Sequence, residues 1–148
     1  RNKRWQARHD MYWACLQLRP GARGISTDVC VPISRLAECV TSTQQKASDL
    51  GLLAPMGGHG GDGNFHALLW IDMEKTEEVA KAEEFVGWLN DLAISMEGTC
   101  TGEHGIGQGK MPYLIKELGA ATQYMAAIKA ALDPENIMNP GKVLAGQS

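Results

Sequence analysis

The stretch His59-Gly-Gly-Asp-Gly-Asn-Phe-His-Ala-Leu-Leu-Trp-Ile71 decides the fold. From Phe65 onward it is an apolar run of strand length, bounded by turn residues, and reads as a buried strand. Its first half is a glycine-rich turn, where the backbone can take positive φ and let another group come close. Residues 52–58 just upstream form a second candidate strand, weakened by Pro55 and its glycines. The two runs make a hairpin, with His59 and His66 bracketing its turn and able to converge on one point.

The flanking segments extend this into a topology. Residues 25–31 are a short β-type run ended by Pro32, which suits the first turn of a helix. Ile33, Leu36, Ala37, Val40, Ala47 and Leu50 follow at helical spacing, and Gly51 is placed to cap that helix. Downstream, Val79, Ala82, Val86, Leu89, Ala93 and Met96 predict a helix over 72–96 ended by Gly98, then a short strand over 99–102. The order is β-α-β-β-α-β, the ferredoxin-like pattern. It predicts an α+β domain, an antiparallel sheet with helices packed on one face. An amphipathic helix precedes it, carrying Trp5, Arg8, Tyr12, Cys15 and Leu16 near one face and stopped by Pro20, Gly21 and Gly24. Two helical stretches over 110–118 and 120–132 and a turn-rich tail over 133–148 follow it.

Composition narrows the function classes. The 148 residues suit one domain, and 44% hydrophobic content is enough for a real core. A net charge of −3 gives no basic footprint for nucleic acid or an anionic lipid surface. The four cysteines form no CxxC pair and sit in small or apolar settings, which fits buried free thiols in a reducing compartment. No run of 18 apolar residues and no signal-peptide pattern occurs, so a secreted or membrane-spanning product is not expected. The opening Arg1-Asn-Lys-Arg-Trp5 lacks a Met and reads as the interior of a helix, so a piece of a longer polypeptide is expected.

The chemistry concentrates in the turn of the hairpin and in a second window, Thr101-Gly-Glu-His-Gly-Ile-Gly-Gln108. Together they hold three of the four histidines. His59, His66 and Glu103 would make a two-imidazole, one-carboxylate metal set with open positions for substrate. His104 is then left as a base, since imidazole titrates near neutral pH. Adjacent residues on a regular strand point to opposite faces. Gly102 and Gly105 would let the loop turn both Glu103 and His104 into one cavity. The same residues also fit a plainer reading, glycine turns with histidines bonded to loop backbone. Asp62, among Gly61, Gly63 and Asn64, better suits a loop-bracing Asx-turn. Arg8 fits either a snorkelling surface arginine or a clamp for a carboxylate. The segment Gly105-Ile-Gly-Gln-Gly-Lys110 departs from the phosphate-loop pattern, because Met111 follows its lysine. No GxSxG elbow is present.

Five motifs in order carry a resemblance. They are Trp5-x-x-Arg8, Thr27-Asp-Val-Cys-Val-Pro-Ile-Ser-Arg-Leu36, His59 to His66, Gly98-Thr-Cys-Thr-Gly-Glu-His-Gly-Ile-Gly107, and Asp133-Pro with Met138-Asn-Pro-Gly-Lys142. The chain resembles, over nearly its whole length, the C-terminal cap domain of FAD-linked D-2-hydroxyacid dehydrogenases, flavoproteins of the vanillyl-alcohol-oxidase type. It is most similar to the D-lactate dehydrogenase (cytochrome) type. The resemblance implies that a separate N-terminal domain binds FAD while this part covers the substrate. It implies a zinc or manganese ion on His59, His66 and Glu103, His104 as the base, and Arg8 on the substrate carboxylate. It also implies that the tail around Asn139 returns to the cofactor domain. Electrons would pass to a cytochrome or quinone, the parent would lie in the cytoplasm or on the mitochondrial matrix side, with a peripheral place at the inner membrane as one version, and a homodimer is one expected assembly. Relatives acting on hydroxyglutarate carry a Lys and an Asn where this chain has Ser26 and Leu68, so a small monocarboxylic substrate such as D-lactate is expected. The alternative is a metal-binding module or a non-haem iron oxygenase using the same three ligands.

Overall fold

The computed structural model describes the backbone of residues 2–144, and the side chains of Gln6 and of residues 10–144. The elements are α1 (Asn2–Leu16), β1 (Arg23–Ser26), β2 (Val29–Cys30), α2 (Ile33–Asp49), β3 (Met56–His59), β4 (Asn64–Ile71), α3 (Thr76–Ser95), α4 (Met111–Leu118) and α5 (Ala121–Leu132).

The apolar run is the centre of the sheet. β4 pairs antiparallel with β3 on one edge and with β1 and β2 on the other. β1 and β2 share one register along β4, with Arg23 opposite Ile71 at one end and Cys30 opposite Asn64 at the other. They are a single strand interrupted at Thr27 and Asp28, where one run over 25–31 was expected. Thr99 then bridges Cys30, with bonds of 3.2 Å and 2.7 Å in the two directions. This sets residue 99 beside β2, then β4, then β3, which is the ferredoxin-like strand order.

The predicted strand over 99–102 amounts to that one bridge. Its amide donors go to side chains instead of a ladder: the Cys100 N–H to Glu117 and the Thr101 N–H to the Thr99 hydroxyl. The end of α3 also differs from expectation. Glu97, not Gly98, takes the left-handed position, at φ 61°. Gly98 is required for closeness, because a Cβ there would stand 2.3 Å from the Cys30 carbonyl oxygen.

Alternation along β4 divides the molecule. Phe65, Ala67, Leu69 and Ile71 enter a core with Cys39 and Ala47 of α2 and Ala82, Phe85, Leu89 and Ala93 of α3. Both helices therefore cover one face, as the topology predicts. Leu68 and Trp70 face the other way and pack with Met11, Cys15 and Leu16 of α1 and with Ala22. On that second face Asn64 and His66 occupy the other end of β4. The site is built on this polar end.

Candidate functional site

The two glycine-histidine windows meet. The Glu103 carboxylate stands between the hairpin histidines, with Oε1 2.8 Å from His66 Nε2 and Oε2 3.7 Å from His59 Nε2. The His104 ring stacks on that of His66, with centroids 5.1 Å apart and planes 10° from parallel. His104 Nε2 lies 3.7 Å from Glu103 Oε1. Thus His59, His66, Glu103 and His104, all expected at one point, are brought together. His66 is largely covered, with 14% of its side chain exposed, while His104 is 53% exposed and open to a reactant.

Asp28 is the residue that makes this possible. It is buried, at 1% exposure, directly opposite His66 in the strand register. Its carboxylate accepts from the backbone N–H of Glu103 at 3.0 Å and of His104 at 2.9 Å. It also accepts from Asn64 Nδ2 at 2.8 Å and from the Thr101 hydroxyl at 3.0 Å. Two successive amides donating to one carboxylate bend the loop, so that neighbouring side chains share one side. Burial pushes the Asp28 carboxyl up, but those backbone and side-chain donors outweigh it and hold it well below the usual carboxylate range. Asp28, His66 and His104 also place one ligand atom each within 4.8 Å of one another. The two imidazole Nδ1 atoms, however, are 3.8 Å and 3.9 Å from the Asp28 oxygens, beyond hydrogen-bond reach. The Asp28 oxygens are already occupied by the loop, so its chemistry is that of a brace.

Lys110, excluded from a phosphate loop by its sequence context, has a structural task. Its ammonium donates to the carbonyls of Asp28 at 2.8 Å and Cys100 at 2.7 Å, tying the second window to β2. Gly102 is set by closeness, since a Cβ on it would lie 1.8 Å from Asn64 Nδ2. Sequence reading missed Asp28, Thr27, Asn64 and Lys110. The one signal available was a polar Thr-Asp step inside a β-type run, where a buried acid needs donors.

The donor set fits a divalent cation. His66 Nδ1 lies 2.8 Å from the Thr27 carbonyl oxygen, which can only accept, so the proton sits on Nδ1. Nε2 is then a lone-pair donor aimed at Glu103. A lone pair and a carboxylate oxygen 2.8 Å apart repel unless a cation or a second proton lies between them. Histidine with its far nitrogen bonded to a carbonyl is the usual outer-shell arrangement of a metal ligand. Asn64 Oδ1, buried with no bonding partner among the described residues, adds an uncommitted acceptor close by.

The remaining candidates lie elsewhere. Arg8 belongs to α1, and its side chain lies outside the described residues. Asn139 sits at φ 49° in the tail and lines a mostly apolar groove with Met125, Ile128 and Met138. The tail is joined to the second window by the Val143 N–H bond to the Gly107 carbonyl, at 2.7 Å. Asp62 donates its backbone N–H to the His59 carbonyl and accepts at its own carbonyl from the Cys30 thiol, which fits a turn role. All four cysteines are free, and three of them are buried. No helix among the described residues is long and apolar enough to cross a membrane.

Comparison with known proteins agrees with this architecture. The family model described as FAD linked oxidases, C-terminal domain, matches residues 1–143. A probable mitochondrial D-lactate dehydrogenase of Danio rerio is 49% identical over 145 residues, 97% of this chain and 29% of that protein. The mitochondrial D-lactate dehydrogenase [cytochrome] of Arabidopsis thaliana is 46% identical over 141 residues, 95% of this chain and 25% of that protein. Among solved structures, the 4-ethylphenol oxidase of Gulosibacter chungangensis shares the fold with a TM-score of 0.67 at 17% identity, over 94% of this chain and 29% of that one. The chain thus spans less than a third of the length of these relatives. A match over almost all of its residues, with relatives near half identical, makes this chain a member of the FAD-linked oxidase C-terminal domain family.

Proposed function

We propose that this chain is the substrate-facing C-terminal part of an FAD-dependent dehydrogenase that oxidises a small D-2-hydroxyacid, D-lactate above all, to its 2-oxoacid. The reading extends to this chain what the names of its relatives say of them. The single observation that carries it is the convergence of His59, His66, Glu103 and His104 on one side of the sheet. When bound, a divalent ion of the zinc or manganese type would supply Lewis acidity toward the hydroxyl, and FAD, held by the rest of the polypeptide, would supply the hydride acceptor.

The chain's own residues do the rest. His59, His66 and Glu103 would hold the ion. With Nδ1 bonded to the Thr27 carbonyl, His66 would offer the lone pair of Nε2 to the ion. His104, half exposed and beyond hydrogen-bond distance of both carboxylates beside it, is the group placed to take the hydroxyl proton. Arg8 would clamp the substrate carboxylate through two parallel bonds, and Asn139 would lie toward the cofactor. Leu68, beyond His66 on the same face, is apolar and buried against α1, so it offers no partner to a second substrate carboxylate, which suits a short, monocarboxylic substrate. Electrons would pass to a cytochrome, and the working location would be the mitochondrion, as the names of the relatives indicate for them.

The test is dye reduction by the complete FAD-containing polypeptide with D-lactate, L-lactate and D-2-hydroxyglutarate. D-lactate is expected to be fastest. His104→Ala should lose at least about 100-fold in turnover, the low end of what a general base contributes. Equal rates for the two lactate enantiomers, or more than a tenth of the activity surviving in His104→Ala, would refute the reading.

A further inference from the structure

The ladder between β1/β2 and β4 carries an exchange of partners at Thr27. In a regular antiparallel ladder every second pair of opposed residues trades both main-chain bonds, and Thr27 with Ala67 falls on that phase. Thr27 stands opposite Ala67, and the first bond is present, Thr27 N–H to the Ala67 carbonyl at 3.0 Å. The return bond is not main chain to main chain. The Ala67 N–H donates to the Thr27 side-chain hydroxyl, at 2.8 Å. The Thr27 carbonyl is thereby released, and it accepts instead from His66 Nδ1 at 2.8 Å, with the Ser26 hydroxyl reaching it at 3.2 Å. Thr27 is buried, at 5% exposure, so solvent does not compete for these groups.

We propose that Thr27 is a positioning residue for His66: its hydroxyl takes over the ladder bond of its own carbonyl, and the released carbonyl holds the proton on Nδ1 and turns Nε2 toward Glu103. The chemistry requires a hydroxyl at this position. Valine has the same shape but no acceptor, so the Ala67 N–H would reclaim the carbonyl of residue 27 rather than stay buried and unpaired. Serine keeps the acceptor. His66 would then lose its Nδ1 partner in the valine variant only.

The inference has two arms, of which the second rests on His66 being an ion ligand as proposed above. In the first, the ring nitrogens of His66 are read by ¹⁵N NMR in the 148-residue chain without metal. Nδ1 should carry a proton in the wild type and in Thr27→Ser, and lose it as the dominant form in Thr27→Val. An unprotonated Nδ1 in the wild type overturns the proposal, and that spectrum decides the matter even where Thr27→Val does not fold. An unchanged His66 in a folded Thr27→Val also overturns it. In the second arm, Mn²⁺ is titrated into the same three proteins. Thr27→Ser should bind within about threefold of wild type and Thr27→Val roughly 10- to 100-fold more weakly, the usual effect of removing an outer-shell partner. Equal affinity in the valine variant overturns the proposal. A wild type that binds neither Mn²⁺ nor Zn²⁺ refutes the ion reading, and the ring spectrum still judges Thr27.

Discussion

Replacing Gly102 by alanine probes the joint on which the site depends. The added Cβ would lie 1.8 Å from Asn64 Nδ2 and 2.8 Å from Asp28 Oδ1. The Asn64 amide cannot retreat cheaply, since it donates to Asp28 at 2.8 Å and to the Val29 carbonyl at 3.2 Å in a buried setting. Losing one bond to a charged acceptor and one to a neutral one costs roughly 2–4 kcal/mol. The other escape, backing the loop away, loosens Asp28 from the Glu103 and His104 amides and costs a similar amount. Urea unfolding followed by circular dichroism should therefore show Gly102→Ala destabilised by about 2–4 kcal/mol at unchanged slope. The decisive comparison is the same substitution in an Asn64→Ala background. There the clashing atom is gone and the two bonds are already lost, so the added cost should fall by at least about 1 kcal/mol, a coupling typical of residues in contact. An equal penalty in both backgrounds would refute the reasoning, because the collision would then not be with Asn64.

Three further outcomes follow from other parts of the molecule. The Arg19 guanidinium, bonded to Glu78 at 2.7 Å and 2.9 Å, and the Asp72 N–H hold the Glu78 carboxyl down to about 2. A depressed carboxyl contributes stability that is complete above its unfolded value of about 4.3 and is lost as pH falls toward the folded value. Glu78→Gln should flatten the pH dependence of the denaturation midpoint between about pH 5 and pH 2, and profiles parallel to wild type would disprove the assignment. Burial first, and then the Glu117 carboxylate, push the Cys100 thiol up to about 11. Native protein treated with iodoacetamide at mildly alkaline pH should leave Cys100 unlabelled by peptide mass spectrometry, and labelling it as fast as in denaturant would contradict its burial. Leu69, fully buried between α2 and α3, should cost roughly 2–5 kcal/mol when cut to alanine, read by the same urea assay.

The parts of the fold legible beforehand are those written in local periodicity. β4 announces itself as an apolar run, and α2 and α3 by residues at three- and four-residue steps. The strand order follows from the succession of these elements. That the two windows would meet was legible from residue types, with imidazoles and a carboxylate set between glycines, a pattern that turns with backbone-bonded histidines also fit. The support beneath it was not legible. Asp28 meets its partners 36 to 82 residues away in sequence, and no local pattern registers such a pairing. The polar Thr27-Asp28 step reads as ordinary strand content until the register is known. The fourth strand was overread because Thr99 to Gly102 has strand-like residues, while Glu117 and the Thr99 hydroxyl take the amides that a ladder would use. Glu97 in the left-handed position defeats the usual preference for glycine there.

The double pairing of β4 has a consequence for how the molecule comes into being. Its β3 edge is closed by a short turn, so that hairpin needs little chain entropy and belongs to the microsecond events of folding. The other edge waits for a segment 40 residues upstream to arrive at Thr27. The loop carrying Glu103 and His104 closes a far longer span, since Asp28 lies 75 and 76 residues from the amides it accepts from. Loop-closure entropy therefore separates the two halves of the cluster: the histidines of the hairpin share a local contact, while their carboxylate depends on contacts that cross about half of the chain. Anything that loosens the sheet at Asp28 is expected to cost the cluster its carboxylate while the hairpin itself stays paired.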